Sequence, residues 1–267
     1  MFGLKRKKPP SQPLPKRPTA RVRVAPPQPA GLSGLVYAIG DLHGRLDLFE
    51  ALIAIIRRDV EQQAGVDRPT IVLLGDLIDR GPHSAGCIER AIQLRDEGWC
   101  EVQALKGNHE EALLLFLDDA EIGRQWLRHG GGSTLQSYGV DLTSAGLAGG
   151  WDGVRASFGE ALPATHRLFL NDLKVYYEQG DYVFVHAGIR PGVAMAQQSE
   201  ADLLWIREAF LSVETAFPGR VIVHGHTPTA APELKRGRIN VDTGAYASGV
   251  LTAVRLRGFE RTILQAR

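Results

Sequence analysis

Two stretches of the chain decide its reading: Leu35-Val36-Tyr37-Ala38-Ile39-Gly40-Asp41-Leu42-His43-Gly44 and Thr70-Ile71-Val72-Leu73-Leu74-Gly75-Asp76-Leu77-Ile78-Asp79-Arg80-Gly81. Each is a short apolar run stopped by glycine and followed at once by aspartate. A brief, fully apolar run bounded by a turn residue suits a strand buried on both faces. Between them, Leu46, Phe49, Leu52, Ile53 and Ile56 fall on one face of a helix over Leu46 to Arg57. Outward from this unit, Ser84 to Arg95 reads as a helix, Glu101 to Leu105 as a third strand and Glu110 to Leu117 as a leucine-rich helix. Repeated strand–helix–strand units predict a largely parallel sheet covered by helices.

The pattern loosens over residues 124 to about 165, where Gly130-Gly131-Gly132 and scattered aromatics predict a mostly helical insert over the loop edge of the sheet. Strands are expected again at Val175 to Tyr177, Tyr182 to Val185, Val221 to Val223, Ile239 to Val241 and Gly249 to Leu256, with an antiparallel pair ending near Leu264. No internal repeat is visible.

The chemistry-bearing residues stand where these strands stop. Gly40-Asp41-Leu42-His43-Gly44 follows the first strand, Gly75-Asp76-Leu77-Ile78-Asp79-Arg80-Gly81 the second and Gly107-Asn108-His109-Glu110 the third. His186-Ala187-Gly188 and His224-Gly225-His226-Thr227-Pro228 follow later ones. Loops at the carboxyl ends of strands are where open α/β sheets bind ligands. Taken singly, each fragment has an ordinary explanation: a Gly-Asp turn, or a histidine satisfied by its neighbours. Five such sets, each at a strand-to-loop junction, are not required by packing and point to a dinuclear metal site. Two divalent cations about 3.5–4 Å apart need a bridging carboxylate, terminal nitrogen and oxygen ligands, and room for water. Carboxylate, imidazole and amide oxygen together suit manganese, iron or zinc better than calcium, with manganese the first expectation. The absence of thiolate from the set argues against a structural zinc site.

Composition bounds the rest. The 267 residues are 44% hydrophobic and 23% charged, as for an ordinary globular protein. The net charge of +1 conceals an asymmetry: the first 24 residues carry eight basic groups and no acid, leaving 23 basic against 30 acidic residues beyond them. Eight of the 15 prolines also lie before residue 33. Residues 1–33 are therefore expected to be a disordered basic, proline-rich tail, with residues 34–267 as the folded domain. The tail is either a solvated extension or a contact for an anionic partner such as nucleic acid or membrane. No apolar stretch follows its basic start, so no secretory signal is expected, nor does any later run reach transmembrane length. Cys87 and Cys100 lack ligand spacing and are expected to be reduced, partly buried thiols in a cytoplasmic protein.

The string Gly-Asp-x-His-Gly, Gly-Asp-x-x-Asp-Arg-Gly, Gly-Asn-His-Glu, His-Ala-Gly and Gly-His-Thr resembles the phosphoprotein phosphatase family of calcineurin-like metallophosphoesterases, closest to its bacterial and phage-type branch. The resemblance runs from about Leu35 to Thr252. It implies an α/β fold, a four-layer α-β-β-α sandwich with the metals at the loop edge of two central sheets. It further implies that Asp41 and His43 bind one metal, that Asp76 bridges, and that Asn108, His186 and His226 complete the second metal, Asn108 also lying beside the substrate. A bridging hydroxide would attack phosphorus in line. His109 would be the general acid, oriented by Asp79, and Arg80 would clamp the phosphoryl oxygens. Leu203-Leu204-Trp205-Ile206-Arg207-Glu208 resembles the segment that supplies a second phosphate-binding arginine, here Arg207, although a surface helix charge is the simpler alternative. Asn240-Val241-Asp242-Thr243-Gly244-Ala245 is expected as structural support, His224 as no more than a neighbour of the ligands, and His83, His129 and His166 as surface or cap residues.

The resemblance implies a Ser/Thr phosphoprotein phosphatase acting on phosphorylated proteins or small phosphate esters. The alternative is a dinucleoside polyphosphate (diadenosine tetraphosphate) hydrolase, and a remoter one is a non-catalytic phosphate-binding module, which a filled ligand set argues against. Asp79 and Glu110 tilt the reading toward the protein phosphatase. Pro228 stands where nuclease and cyclic-nucleotide branches carry a second histidine, and it cannot bind metal.

Overall fold

A computed structural model describes residues 32, 34–63, 65, 68–143 and 149–267. The expected N-terminal tail lies almost wholly outside the described residues. The first half runs β1 (Leu35–Ile39), α1 (Leu46–Glu61), β2 (Thr70–Leu73), α2 (Ser84–Asp96), β3 (Glu101–Ala104) and α3 (Asn108–Asp118). Four helices follow: α4 (Gly123–Arg128), α5 (Gly131–Ser137), α6 (Gly150–Ala161) and α7 (Ala164–Asn171). The second half runs β4 (Tyr176–Gln179), β5 (Tyr182–Val185), α8 (Glu200–Trp205), α9 (Glu208–Leu211), β6 (Val221–His224), β7 (Glu233–Leu234), β8 (Arg238–Asn240), α10 (Ala245–Ser248), β9 (Leu251–Arg257) and β10 (Glu260–Ala266).

The strands form two five-stranded sheets, ordered β10-β9-β1-β2-β3 and β4-β5-β6-β8-β7. In the first, β1, β2 and β3 are parallel and the β9–β10 hairpin adds antiparallel to β1. In the second, β5, β6 and β8 are parallel, with β4 and β7 antiparallel at the edges.

Strand alternation explains why uniformly apolar strands were needed. Along β1, Leu35, Tyr37 and Ile39 join the helix-side core with Leu48, Phe49, Leu52 and Ile56 of α1. Val36 and Ala38 instead meet Tyr182, Phe184, Val221 and Val223 between the sheets. On the far side, Val183, Val185 and Ile222 pack against Leu203, Ile206 and Phe210. Because successive side chains point to opposite faces, a strand covered on both faces must be apolar at every position. The result is the four-layer α-β-β-α sandwich that the resemblance implies.

Helix α3 begins at Asn108, two residues before the expected start, because the Glu110 carboxylate turns back to accept the Gly107 N–H at 2.8 Å. This is the reciprocal half of a helix N-terminal cap, and it puts Asn108 and His109 on the first helical turn. Strand β9 starts at Leu251 rather than Gly249, since Ala245–Ser248 closes a helical turn first. His166, expected at the surface, is buried between Tyr138 Oη (2.8 Å) and the Glu89 carboxylate (3.0 Å). It lies on the inward face of the amphipathic helix α7 with Phe169 and Leu170.

Leu52 is fully buried between α1 and the first sheet, whereas Leu168 is 69% exposed. Urea unfolding should show Leu52→Ala losing about 2–5 kcal/mol and Leu168→Ala changing by less than about 0.5 kcal/mol.

Candidate active site

The carboxyl-end loops are stitched together by their backbones before any side chain acts. The amides of Leu42 and His43 both donate to the Asp76 carbonyl (3.0 and 2.8 Å), Gly44 N donates to Leu77 O, and Gly81 N returns to His43 O. Gly225 N donates to His186 O, joining the later loops in the same way. The glycine at 81 is needed for contact, since a Cβ there would stand 2.2 Å from the His43 carbonyl oxygen. Among the described residues, the non-glycine positions with positive φ are His43 (46°), Asp76 (50°), Asp79 (72°), Arg80 (67°) and His226 (65°). All five are expected site residues. Side chains held in this sparsely populated region concentrate at functional sites, where the surroundings over-determine the backbone.

Two groups of ligand atoms converge, and Asp76 belongs to both: His43, Asp76 and His109 form one, and Asp76, His186 and His226 the other. Asp76 Oδ2 lies 3.6 Å from His43 Nε2, 3.5 Å from His186 Nε2 and 3.9 Å from His109 Nε2. Asn108 Oδ1 is 2.9 Å from His186 Nε2 and 2.8 Å from His226 Nδ1, and these two ring nitrogens are 3.2 Å apart.

The protons on these rings follow from what each nitrogen faces. His43 Nδ1 donates to the Ile78 carbonyl and His186 Nδ1 to the Leu74 carbonyl, both at 2.9 Å. A carbonyl can only accept, so each ring carries its proton on Nδ1 and turns the Nε2 lone pair toward Asp76. Burial pushes His43 well below the ordinary imidazole range, and pushes His186 down to about 3 and His226 to about 2. Imidazole lone pairs, a carboxylate and an amide oxygen aimed at common points form a donor set that cations between them would satisfy. Asp41, Asp76, Asp79, Glu110 and Asp242 are all buried as well. The donor set therefore fits a pair of divalent cations sharing Asp76.

The expected residues are not all placed alike. Asp41 stands outside both groups: its carboxylate receives the His226 amide (3.1 Å to Oδ2) and crowds buried Asp242, so burial first and Asp242 next hold it well above the carboxylate range. His109 joins the first group through Nε2, while its Nδ1 donates to Asp79 Oδ2 at 2.6 Å. Arg80 approaches His109 Nε2 at 3.3 Å through Nη2. A guanidinium has no acceptor, so that ring nitrogen is unprotonated here. Arg207 is exposed and donates to Thr227 Oγ1 at 3.1 Å, beside His226. His224 is buried, with Nδ1 3.1 Å from Gly225 O and no partner for Nε2 among the described residues. His83 closes the start of α2 and His129 the end of α4.

Other residues matter to which the motifs assigned no structural role. Glu110 accepts the amides of Asp76 (2.9 Å), Leu77 (2.8 Å) and Gly107 (2.8 Å), so one carboxylate ties the second and third loops into a unit. Burial pushes Glu110 up to about 7 while those N–H donors pull the other way. The Tyr246 ring packs under the Arg80 guanidinium at 4.6 Å and against the edge of His43 at 5.3 Å. Its place directly after the Asn240–Ala245 segment was the available signal. Beside Asn108 and His109 an apolar cavity opens between Ala112, Leu115, Ile122 and Trp205.

Residues 34–238 match the calcineurin-like phosphoesterase family. The chain belongs to that family. Its membership and the named relatives establish it as a metal-dependent phosphoester hydrolase. Serine/threonine-protein phosphatase 1 of Salmonella typhimurium is 30% identical over 229 residues, covering 83% of this chain and 92% of the relative. The asymmetrical bis(5'-nucleosyl)-tetraphosphatase PrpE of Bacillus thuringiensis is 27% identical over 242 residues, covering 81% and 88%. The solved cold-active protein-tyrosine phosphatase of a psychrophilic Shewanella shares the fold, with a TM-score of 0.57, 15% identity, and 91% and 83% coverage. No described helix is long and apolar enough to cross a membrane.

In this phosphoesterase, Glu110→Gln keeps one acceptor oxygen and turns an NH2 group toward backbone N–H donors. It should lose at least about 2 kcal/mol of stability in urea and bind manganese about 10–100-fold more weakly by titration calorimetry.

Proposed function

We propose that the protein hydrolyses phosphate monoesters, with phosphoserine and phosphothreonine in proteins as the substrate class. The observation that carries this reading is the Asp79–His109 pair, whose ring reaches the first ligand group through Nε2 with Arg80 against the same nitrogen. A serine or threonine alkoxide leaves poorly and needs a proton, which a positioned acid supplies at a gain of about 10²–10⁴ in rate. A nucleotide or pyrophosphate leaving group has much less need of one.

Asp41 and His43 would hold one metal, Asp76 would be shared, and Asn108, His186 and His226 would hold the other, with manganese as the first candidate and iron or zinc as alternatives. When bound, such a pair supplies Lewis acidity toward the phosphoryl oxygens and makes water acidic enough to attack. Arg80, flattened against Tyr246, presents two parallel donors to the phosphoryl group. Arg207, on the His226 side, supplies a second positive charge. As Arg80 turns to the phosphate it leaves His109 Nε2, which is then free to carry the proton. Once Arg80 has turned away, His109 would take a second proton, on Nε2, from solvent. In the displacement the water oxygen bonds to phosphorus and gives up a proton to solvent, the ester P–O bond breaks, and the Nε2 proton passes to the departing oxygen, leaving the ring neutral. Asp79 accepts from Nδ1 throughout and keeps the ring turned to the leaving group.

The second reading, hydrolysis of dinucleoside polyphosphates, is favoured by the PrpE likeness over most of both chains, and it uses the same metal groups. The buried free thiols of Cys87 and Cys100 suit a reducing, cytoplasmic compartment.

With manganese supplied, kcat/KM for phosphoserine and phosphothreonine peptides should exceed that for diadenosine tetraphosphate by at least about tenfold, a difference of about 1.4 kcal/mol in transition-state binding. A preference for the dinucleotide, measured by phosphate release and nucleotide chromatography, would transfer the assignment to the second reading.

A further inference from the structure

The Asp79 carboxylate is fully buried, and besides His109 its side-chain donors, Trp126 and Thr134, come from a part of the chain that carries no catalytic motif. Its Oδ2 receives His109 Nδ1 at 2.6 Å and Trp126 Nε1 at 2.7 Å. Its Oδ1 receives the Thr134 hydroxyl at 2.5 Å, and its own amide donates to Ser84 Oγ (2.9 Å) and Thr134 Oγ1 (3.0 Å). Trp126 belongs to α4 and Thr134 to α5, the two short helices after the third motif.

The last torsion of an aspartate side chain is soft and roughly two-fold. Nothing in the covalent structure of Asp79 therefore fixes the plane of its carboxylate, and the His109 ring alone would swing with it. A donor on each oxygen removes that freedom. Trp126 is in turn held hard: its ring lies 5.2 Å from Phe116 and 6.1 Å from Phe158, and a Cβ on Gly131 would stand 2.5 Å from the indole. Gly130, at φ 106°, turns the chain from α4 into α5, and its carbonyl accepts the Arg80 amide at 3.2 Å. The glycine run thus allows the indole and the threonine hydroxyl to reach one carboxylate from two sides.

We propose that Trp126 and Thr134 are positioning residues for the leaving-group acid: by locking both oxygens of Asp79 they set the angle at which His109 meets the departing oxygen. The proposal rests on reading His109 as that acid. It gives the helical segment a part in turnover that a purely structural role would not have. It also ties the acid to the apolar cavity, because the Trp126 ring forms part of the cavity wall next to His109, Leu115 and Trp205.

The test compares kcat on phenyl phosphate, whose leaving group needs a proton, with kcat on p-nitrophenyl phosphate, whose leaving group barely does. Parent, Thr134→Val, Thr134→Ser and Trp126→Phe enzymes are assayed with manganese, with His109→Asn as the reference. Thr134→Val preserves the shape of the side chain and removes the hydroxyl, and Trp126→Phe removes the indole N–H. Each should lower kcat on phenyl phosphate about tenfold or more while changing p-nitrophenyl phosphate by about twofold or less, a smaller version of the split in His109→Asn. Thr134→Ser, which keeps the hydroxyl, should restore the parent ratio. Equal losses on both substrates, or an unchanged ratio, in Thr134→Val and Trp126→Phe while His109→Asn shows the split would overturn the positioning proposal alone. The absence of a split in His109→Asn itself would overturn the acid reading and the proposal with it. Should Trp126→Phe fail to fold, the Thr134→Val and Thr134→Ser pair decides the matter.

Discussion

One carboxylate, Asp76, faces three imidazole nitrogens within 4 Å, and the rest of the site is arranged around that convergence. Its Oδ1 accepts the His109 amide at 3.1 Å, so the side chain is held from the start of α3 while Oδ2 looks into the cluster. Its main-chain carbonyl takes two amides from the first loop, and its main-chain amide goes to Glu110. Almost every polar atom of this residue is committed. Burial holds the Asp76 carboxyl well above the carboxylate range, and cations between it and the neutral imidazoles would stabilise its ionised form. The hydrogen bonding of the fold thus holds together a donor set that suits metal ions.

The same constraint accounts for the backbone. Five non-glycine residues with positive φ cost about 1–3 kcal/mol each, and they persist here because the loops are cross-bonded and the glycines allow closer contact than a Cβ would. A Cβ on Gly107 would stand 2.1 Å from Asp76 Oδ1, and one on Gly225 would stand 2.1 Å from Asp41 Oδ1. The two sheets supply rigid platforms for the loops, and their interlayer core of Val36, Ala38, Phe184 and Val223 fixes the two halves of the cluster against each other.

Much of this was legible in the chain. Uniformly apolar runs ended by glycine mark β1 and β2, and ligand-type residues repeated at strand ends mark the cluster, because burial on both faces and the gathering of such side chains at one sheet edge each leave a local composition signature. What was not legible depends on contacts between distant segments. Glu110 follows His109 and drew notice only as a family trait, since its role lies in amides 32 to 34 residues away. Trp126 and Thr134 sit in an irregular, glycine-rich segment whose periodicity says nothing of a carboxylate on another loop. The burial of His166 is not legible because a lone histidine in an amphipathic helix gives no hint of its Tyr138 and Glu89 partners.

The central claim is that two cations share Asp76. Electron paramagnetic resonance of the manganese-loaded protein, read together with the bound metal per chain, addresses it most directly. Two manganese ions per chain with an exchange-coupled spectrum are predicted, the coupling disappearing in Asp76→Asn. A single bound ion, or two ions with uncoupled spectra in the parent protein, would contradict the account.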